Sequence, residues 1–100
     1  MIRGTTPIHT FEIPFDTYNI DKVNVIYAQD YKQVLKKTTD ECELKGNQIS
    51  LTLTQDDTLK FDSKRNVQIQ VRVLTKDGKS LASYIETVVA LRCLSDEVIQ

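Results

Sequence analysis

Tryptophan is missing, histidine and methionine occur once each, and there are only two prolines, two cysteines and three glycines. Each scarcity closes off a class of function. A hydrolase of the nucleophile-and-base type needs a histidine beside Ser or Cys with an orienting acid, and His9 is the single histidine on offer. It falls in a short proline-bounded strand, where the simplest expectation is a polar residue on the outer face. Phosphate-cradling loops need clustered glycines, but Gly4, Gly46 and Gly78 are scattered and each sits at a turn or terminus. Cys42 and Cys93 form no Cys-x-x-Cys pair and lie far apart, so neither a zinc site nor a disulfide framework is signalled. In a reducing compartment the two are expected to remain thiols. With no Trp, a carbohydrate-stacking platform would have to be built from Tyr18, Tyr27, Tyr31 and Tyr84.

Long apolar runs are lacking as well. No stretch approaches the ~18 residues that span a bilayer, and the opening Met1-Ile2-Arg3-Gly4-Thr5-Thr6-Pro7 has no signal-peptide core. No membrane association and a cytoplasmic site of synthesis are the expectations. Neither charge sign dominates: 13 Lys and Arg against 14 Asp and Glu leave a net charge of −1, interleaved along the chain. No basic face is evident for phosphate neutralisation, so nucleic acid is not an expected partner. The basic pair Lys36-Lys37 is followed by Asp40 and Glu41 and reads as a solvated strand end.

What is present is a period-2 hydrophobic pattern on a chain of 100 residues, enough for one core and one domain spanning 1–100. In Gln48–Thr54, Ile49, Leu51 and Leu53 share a face while Ser50 and Thr52 share the other, predicting a half-buried strand. Asn66–Val73 repeats the pattern on Val67, Ile69, Val71 and Val73. Asp77-Gly78 follows, a pair suited to the positive φ of a tight hairpin, so Lys79 to about Leu91 is the predicted partner strand. There Leu81, Ile85, Val89 and Leu91 share one parity and Tyr84 and Val88 the other, predicting that part of this strand is covered on both faces.

Upstream, Val23, Val25 and Tyr27 alternate in a strand that ends near Gln29-Asp30 and turns into Tyr31–Lys37, a second hairpin. Ile8 to Phe15 forms a first strand bounded by Pro7 and Pro14, which suits a sheet edge because proline cannot donate to a ladder. Lys45-Gly46-Asn47 turns a short strand at Cys42–Leu44 into the strand at Gln48. Between strands, Thr54 with Asp57 three residues later has the spacing of a capping box. One helical turn is predicted there, with Leu59 and Phe61 dropping into the core. Strand, helical corner and strand, with turns every ~8–12 residues, predict an all-β protein: a single immunoglobulin-like antiparallel β-sandwich of about seven strands.

The acid pairs Asp40-Glu41, Asp56-Asp57 and Asp96-Glu97 have no calcium-loop spacing. Adjacent carboxylates in a strand diverge, as expected of Asp40-Glu41, and Asp56-Asp57 fits the start of a helical turn. No catalytic residue, metal ligand or cofactor is therefore expected. The candidate protein-contact residues are Tyr18 and Tyr31 at loops, Tyr84 and Val88 on the last strand, and Leu94, Val98 and Ile99 in the C-terminal tail. Tyr18 and Tyr31 serve either an interface or the capping of the sandwich ends, and the tail either folds onto its own domain or makes a subunit contact.

Three stretches carry a family likeness: Met1–Pro7, Leu53–Phe61, and Val67–Val73 with its Asp77-Gly78 turn. Together they resemble small structural proteins of prophages in Gram-positive bacteria. There is a looser similarity to the N-terminal β-sandwich domain of phage baseplate upper proteins, without the helical linker and receptor-binding-protein dock that follow it there. The resemblance implies a virion or assembly component of tail or baseplate, with no catalysis and no cofactor. It implies other phage structural proteins as partners, a homo-oligomer as the usual form, and a location in the host cytoplasm and then the particle. The competing expectation is a ligand-binding sandwich for carbohydrate or a host-surface group.

Overall fold

The computed structural model describes residues 1–83, 86–95 and 97–99. Two antiparallel sheets face each other. One has the order β1 (Ile8–Glu12), β5 (Gln48–Thr52), β4 (Glu43–Lys45). The other runs β3 (Lys32–Lys37), β2 (Ile20–Gln29), β6 (Asn66–Thr75), with β7 (Ser80–Ala82) and β8 (Glu86–Val89) successively pairing the far side of β6. The helical turn α1 (Gln55–Leu59) carries the chain from β5 in one sheet to β6 in the other. These connections follow the immunoglobulin-type scheme, in which the central strands β2 and β6 each make a hairpin with an outer strand of their sheet and the sheet of three is joined to them by crossovers. The all-β sandwich expected from the sequence is therefore the fold.

Alternation explains the layers. On β6, Val67, Ile69, Val71 and Val73 are all buried, and on β5 Ile49 and Leu51 are buried with Leu53 just beyond. On β2, Val23, Val25 and Tyr27 point the same way, and Tyr27 is completely buried. These side chains form one contiguous core, which Phe61 closes at the α1 end. Phe61 packs edge-on against Tyr27, with ring centroids 6.0 Å apart.

α1 exists because its ends are satisfied. The Thr54 hydroxyl accepts from the Asp57 N–H and the Asp57 carboxylate accepts from the Thr54 N–H, the reciprocal capping box predicted from their spacing. Thr58, fully buried, donates its hydroxyl to the Thr5 carbonyl at 2.8 Å and so ties the N-terminal segment to the corner. Leu59, expected in the core, is only half-buried. It lies toward Gly4 and Cys93, where a Cβ added to Gly4 would meet its Cδ2 at 3.5 Å.

The hairpin turns use the left-handed region, among them the β4–β5 turn with Gly46 at φ 57°. Gly78, at φ 90°, closes the β6–β7 hairpin as the Asp-Gly pair predicts. The β2–β3 hairpin instead places Asp30 and Tyr31 at φ 51° and 60°. Gln68 Oε1 accepts from the Tyr31 N–H there, and Arg65 pairs with Asp30.

Several expectations are corrected. The strand predicted over Lys79–Leu91 is divided: β7 and β8 pair different stretches of β6, giving eight strands among the described residues. The reason is that Ser83 interrupts the ladder, its hydroxyl accepting from the Val71 N–H in place of a backbone carbonyl. Leu81 and Val88, on the face that β6 turns to the core, are 43% and 36% exposed, so at these two positions the described residues leave the edge partly in solvent. The first strand ends at Glu12, short of Phe15, and the Cys42–Leu44 strand begins at Glu43. Asp40 and Glu41 lie in a 3₁₀ turn, Thr39–Glu41, and not in a strand, because Thr38 and Glu41 form a capping box of their own. Lys37 is no solvated strand end: only 9% of it is exposed. Tyr84 and Ile85 lie outside the described residues.

Candidate protein interface

The tyrosines proposed for contact are far apart. Tyr18 lies in the 3₁₀ turn Thr17–Asn19 that leads into β2, and Tyr31 lies beyond the other end of that ten-residue strand. At ~3.3 Å per residue the two stand roughly 30 Å apart, at opposite ends of the sandwich. Both are highly exposed, at 77% and 79%. The Lys76 ammonium sits 4.0 Å over the Tyr18 ring, a cation–π contact that occupies one face of it. In the tail, Leu94 and Ile99 are fully or largely exposed and Val98 less so. The tail nevertheless touches the domain: Gln55 donates from Nε2 to the Ile99 carbonyl and accepts from the Ile99 N–H through Oε1, at 3.1 and 2.7 Å. The Gln55 pair anchors the tail backbone beside α1 and leaves its apolar side chains outward. Tyr31, Val88 and this tail share the α1 end of the molecule, and Tyr18 does not.

A feature that sequence reasoning missed lies on the β1 side. Between β1 and the β6–β7 edge the two sheets leave a cleft of about 530 Å³, whose apolar walls include Phe11, Ile13, Phe15, Val71, Val73 and Leu81. Glu12 and Glu86 stand on its border, and among the described residues no basic side chain lines it. β1 is a terminal strand there, and the register shows which of its backbone groups face outward. Pro7 O accepts from Leu53 N, and Ile13 N donates to Asn47 O, so the odd-numbered residues turn their N–H and C=O toward β5. Those of Ile8, Thr10 and Glu12 point away, with no partner among the described residues. Pro7 and Pro14 hinted at an edge strand, but an open seam beside it needs the placement of both sheets.

The titratable groups gather elsewhere, in and under the core. His9 faces inward with Phe11, contrary to the outer-face expectation, because its parity matches the strand face that packs on β2. Its Nδ1 is 2.7 Å from the Tyr27 hydroxyl. Burial holds the His9 imidazole below its usual range and pushes the Tyr27 hydroxyl above its own. Nearby, Lys37 Nζ bonds Asp57 Oδ2 at 2.8 Å and Glu41 Oε2 at 3.1 Å. Burial pushes the Cys42 thiol up, and Glu41 adds to this. A nucleophilic cysteine needs the opposite shift, so this arrangement favours a resting thiol, a neutral imidazole and a satisfied ion cluster. Among the described residues no group of three or more His, Cys, Asp and Glu side chains is placed to hold a metal, and no helix is long and apolar enough to cross a membrane. The Cys93 thiol lies 2.8 Å from the Ser95 carbonyl and is not bridged to Cys42.

The His9–Tyr27 pair has a pH consequence. A base whose pKa is lowered on folding binds its proton better in the unfolded chain, so its contribution to stability is full above the unfolded value of about 6.5 and declines as pH falls through it. Thermal melts are expected to show decreasing stability from pH ~7.5 to ~5 in the wild type and a flatter profile in His9→Gln. Equal slopes would remove His9 as the titrating group.

No family model and no curated protein matches the chain. Among solved structures it is similar to the V domain of amphioxus IgVJ-C2, with 14% sequence identity over 90% of this chain and 96% of that one, at a TM-score of 0.37.

Proposed function

We propose that the chain is a non-catalytic structural or assembly module of a phage particle, in tail or baseplate, working through protein–protein contacts and without a cofactor. The observation that carries the reading is the open seam: a strand edge whose Ile8, Thr10 and Glu12 backbone groups have no partner among the described residues, beside an apolar cleft. The likeness of Met1–Pro7, Leu53–Phe61 and Val67–Val73 to prophage structural proteins supplies the biological setting, in the host cytoplasm during assembly and then in the particle. The titratable cluster supports the absence of catalysis, since its groups are shifted away from reactive forms. For the competing carbohydrate-binding reading, the separation of Tyr18 from Tyr31 counts against a shared stacking platform.

Co-expressing the tagged chain with the products of the genes flanking its own, followed by purification on the tag, tests the proposal. Recovery of a stoichiometric complex with one of those products is the expected result. A chain that elutes alone beside every such product overturns it.

A further inference from the structure

We infer that the β1 edge seats a second copy of the same chain, the two β1 strands pairing antiparallel about a twofold axis through Thr10. The inference rests on the reading of the chain as a contact module and names one contact. The free edge supplies the N–H and C=O of Ile8, Thr10 and Glu12, which have no partner among the described residues and are set in the extended spacing that an added strand matches.

Proline and charge together select the register. Pro14, even-numbered and so without an N–H to offer outward, and the start of β1 at Ile8 confine pairing to the window between them. Within that window, centring on Thr10 sets Thr10 against Thr10 of the second copy and Ile8 against Glu12 in both directions. That makes three hydrogen-bonded pairs of two bonds each, about six bonds in all. A shift of two residues either way keeps only two such pairs. Centring on Glu12 leaves one, with carboxylate against carboxylate, an arrangement that is destabilising. The edge is thus self-complementary in one register, as an isologous contact requires.

The side chains agree with this arrangement. Ile8 is 70% exposed, a large aliphatic group on an edge strand, and in the pair it lies beside the Glu12 stem of the other copy. On the opposite face Phe11 comes to lie across from His9 of the second copy, at the mouth of each cleft. β4-β5-β1 of one copy then continues into β1-β5-β4 of the other as one six-stranded sheet.

Thr10 is the position to test, because its side chain is exposed and its own fold uses it only for a 3.1 Å contact with the Ser50 hydroxyl. Light scattering should report the mass of two chains for the wild type. Thr10→Lys sets two ammonium groups opposite each other and should return the mass of one chain, with the melting profile retained. Thr10→Cys is the positive arm: directly opposed residues of a hydrogen-bonded pair have Cα atoms about 5.5 Å apart, within disulfide reach. Mild oxidation should then yield a covalent dimer whose cross-link maps by mass spectrometry to position 10 of both chains. A wild-type mass of one chain at millimolar concentration overturns the inference. So does a two-chain mass that survives Thr10→Lys, or a Thr10→Cys protein that stays uncross-linked. A monomer that still co-purifies with a neighbouring gene product removes the pairing and leaves the assembly reading standing; a dimer that captures no such product does the reverse.

Discussion

Asp57→Ala is expected to lower the unfolding free energy by about 3 kcal/mol, one of the two largest effects of any single substitution considered for this chain. Two losses combine. The capping box at Thr54 disappears, which typically costs ~1 kcal/mol, and Lys37 loses its 2.8 Å partner while remaining largely buried. Breaking a buried ion pair by removing one member costs more than the pair is worth, because the remaining charge is left desolvated. Glu41 still reaches the ammonium at 3.1 Å from a more exposed position, which keeps the expected loss at the lower end of the range for buried pairs. For a domain of this size, 3 kcal/mol corresponds to a melting temperature lower by roughly 15 °C. Asp57→Asn, which retains an acceptor for the Thr54 N–H, should fall between the two. A urea titration giving a loss under ~1 kcal/mol for Asp57→Ala would show that Lys37 reaches water or Glu41 without penalty.

The same pair sets the acid limit of stability. Burial pushes the Asp57 carboxyl up, but the Lys37 ammonium and the Thr54 N–H and hydroxyl outweigh it and hold the folded value below the usual range. A carboxyl depressed on folding contributes stability above its unfolded value of about 3.9 and loses it as pH falls through the folded one. That window lies below the one assigned to His9, so the two contributions separate along the pH axis.

Phe61→Ala is expected to cost about 3–5 kcal/mol, enough to remove much of the stability of a domain whose total is typically ~5–15. Phe61 is 1% exposed and stands where α1 hands the chain from one sheet to the other, edge-on to Tyr27. Its removal opens a cavity between β2 and the corner and takes away a ring contact as well as buried area. Phe61→Leu, which keeps most of the volume, should lose far less. Tyr31→Ala, at an exposed hairpin tip, should change stability by under ~0.5 kcal/mol. Denaturant midpoints for the three proteins check the ordering, and a Phe61→Ala midpoint close to the Tyr31→Ala one would mean that the corner is not the lid of this core.

Much of the architecture was legible residue by residue. Strict alternation in Gln48–Thr54 and Asn66–Val73 located two core strands and their inward faces, because a period of two leaves only one way to bury four valines and isoleucines. The Thr54–Asp57 spacing located α1, because the capping box is a local contact between residues three apart. Asp77-Gly78 located a hairpin for the same reason: its backbone demand is met within the turn. Each of these features is decided by residues close together in sequence.

The features that went unread are decided by residues far apart. Lys37 and Asp57 are separated by twenty positions, and nothing in Lys36-Lys37 distinguishes the lysine that is drawn inward from the one that stays in water. His9 shares its parity with Phe11, Ile13 and Phe15, and that alternation is the signal for its inward face; the polarity of the ring and the exposed Ile8 on the other parity obscure it. The placement of Tyr18 and Tyr31 at opposite ends follows from the length of β2, and the break between β7 and β8 from the Ser83 hydroxyl entering the ladder. The open seam depends on how β1 of one sheet stands relative to the β6–β7 edge of the other, a relation between layers that no single segment encodes. By itself, then, the sequence determined the strands, their turns and the helical corner, through the short-range geometry of backbone and neighbouring side chains. Tertiary structure alone decided which charges are buried, which edge stays open and which aromatic residues share a surface, because those depend on the packing of one sheet against the other.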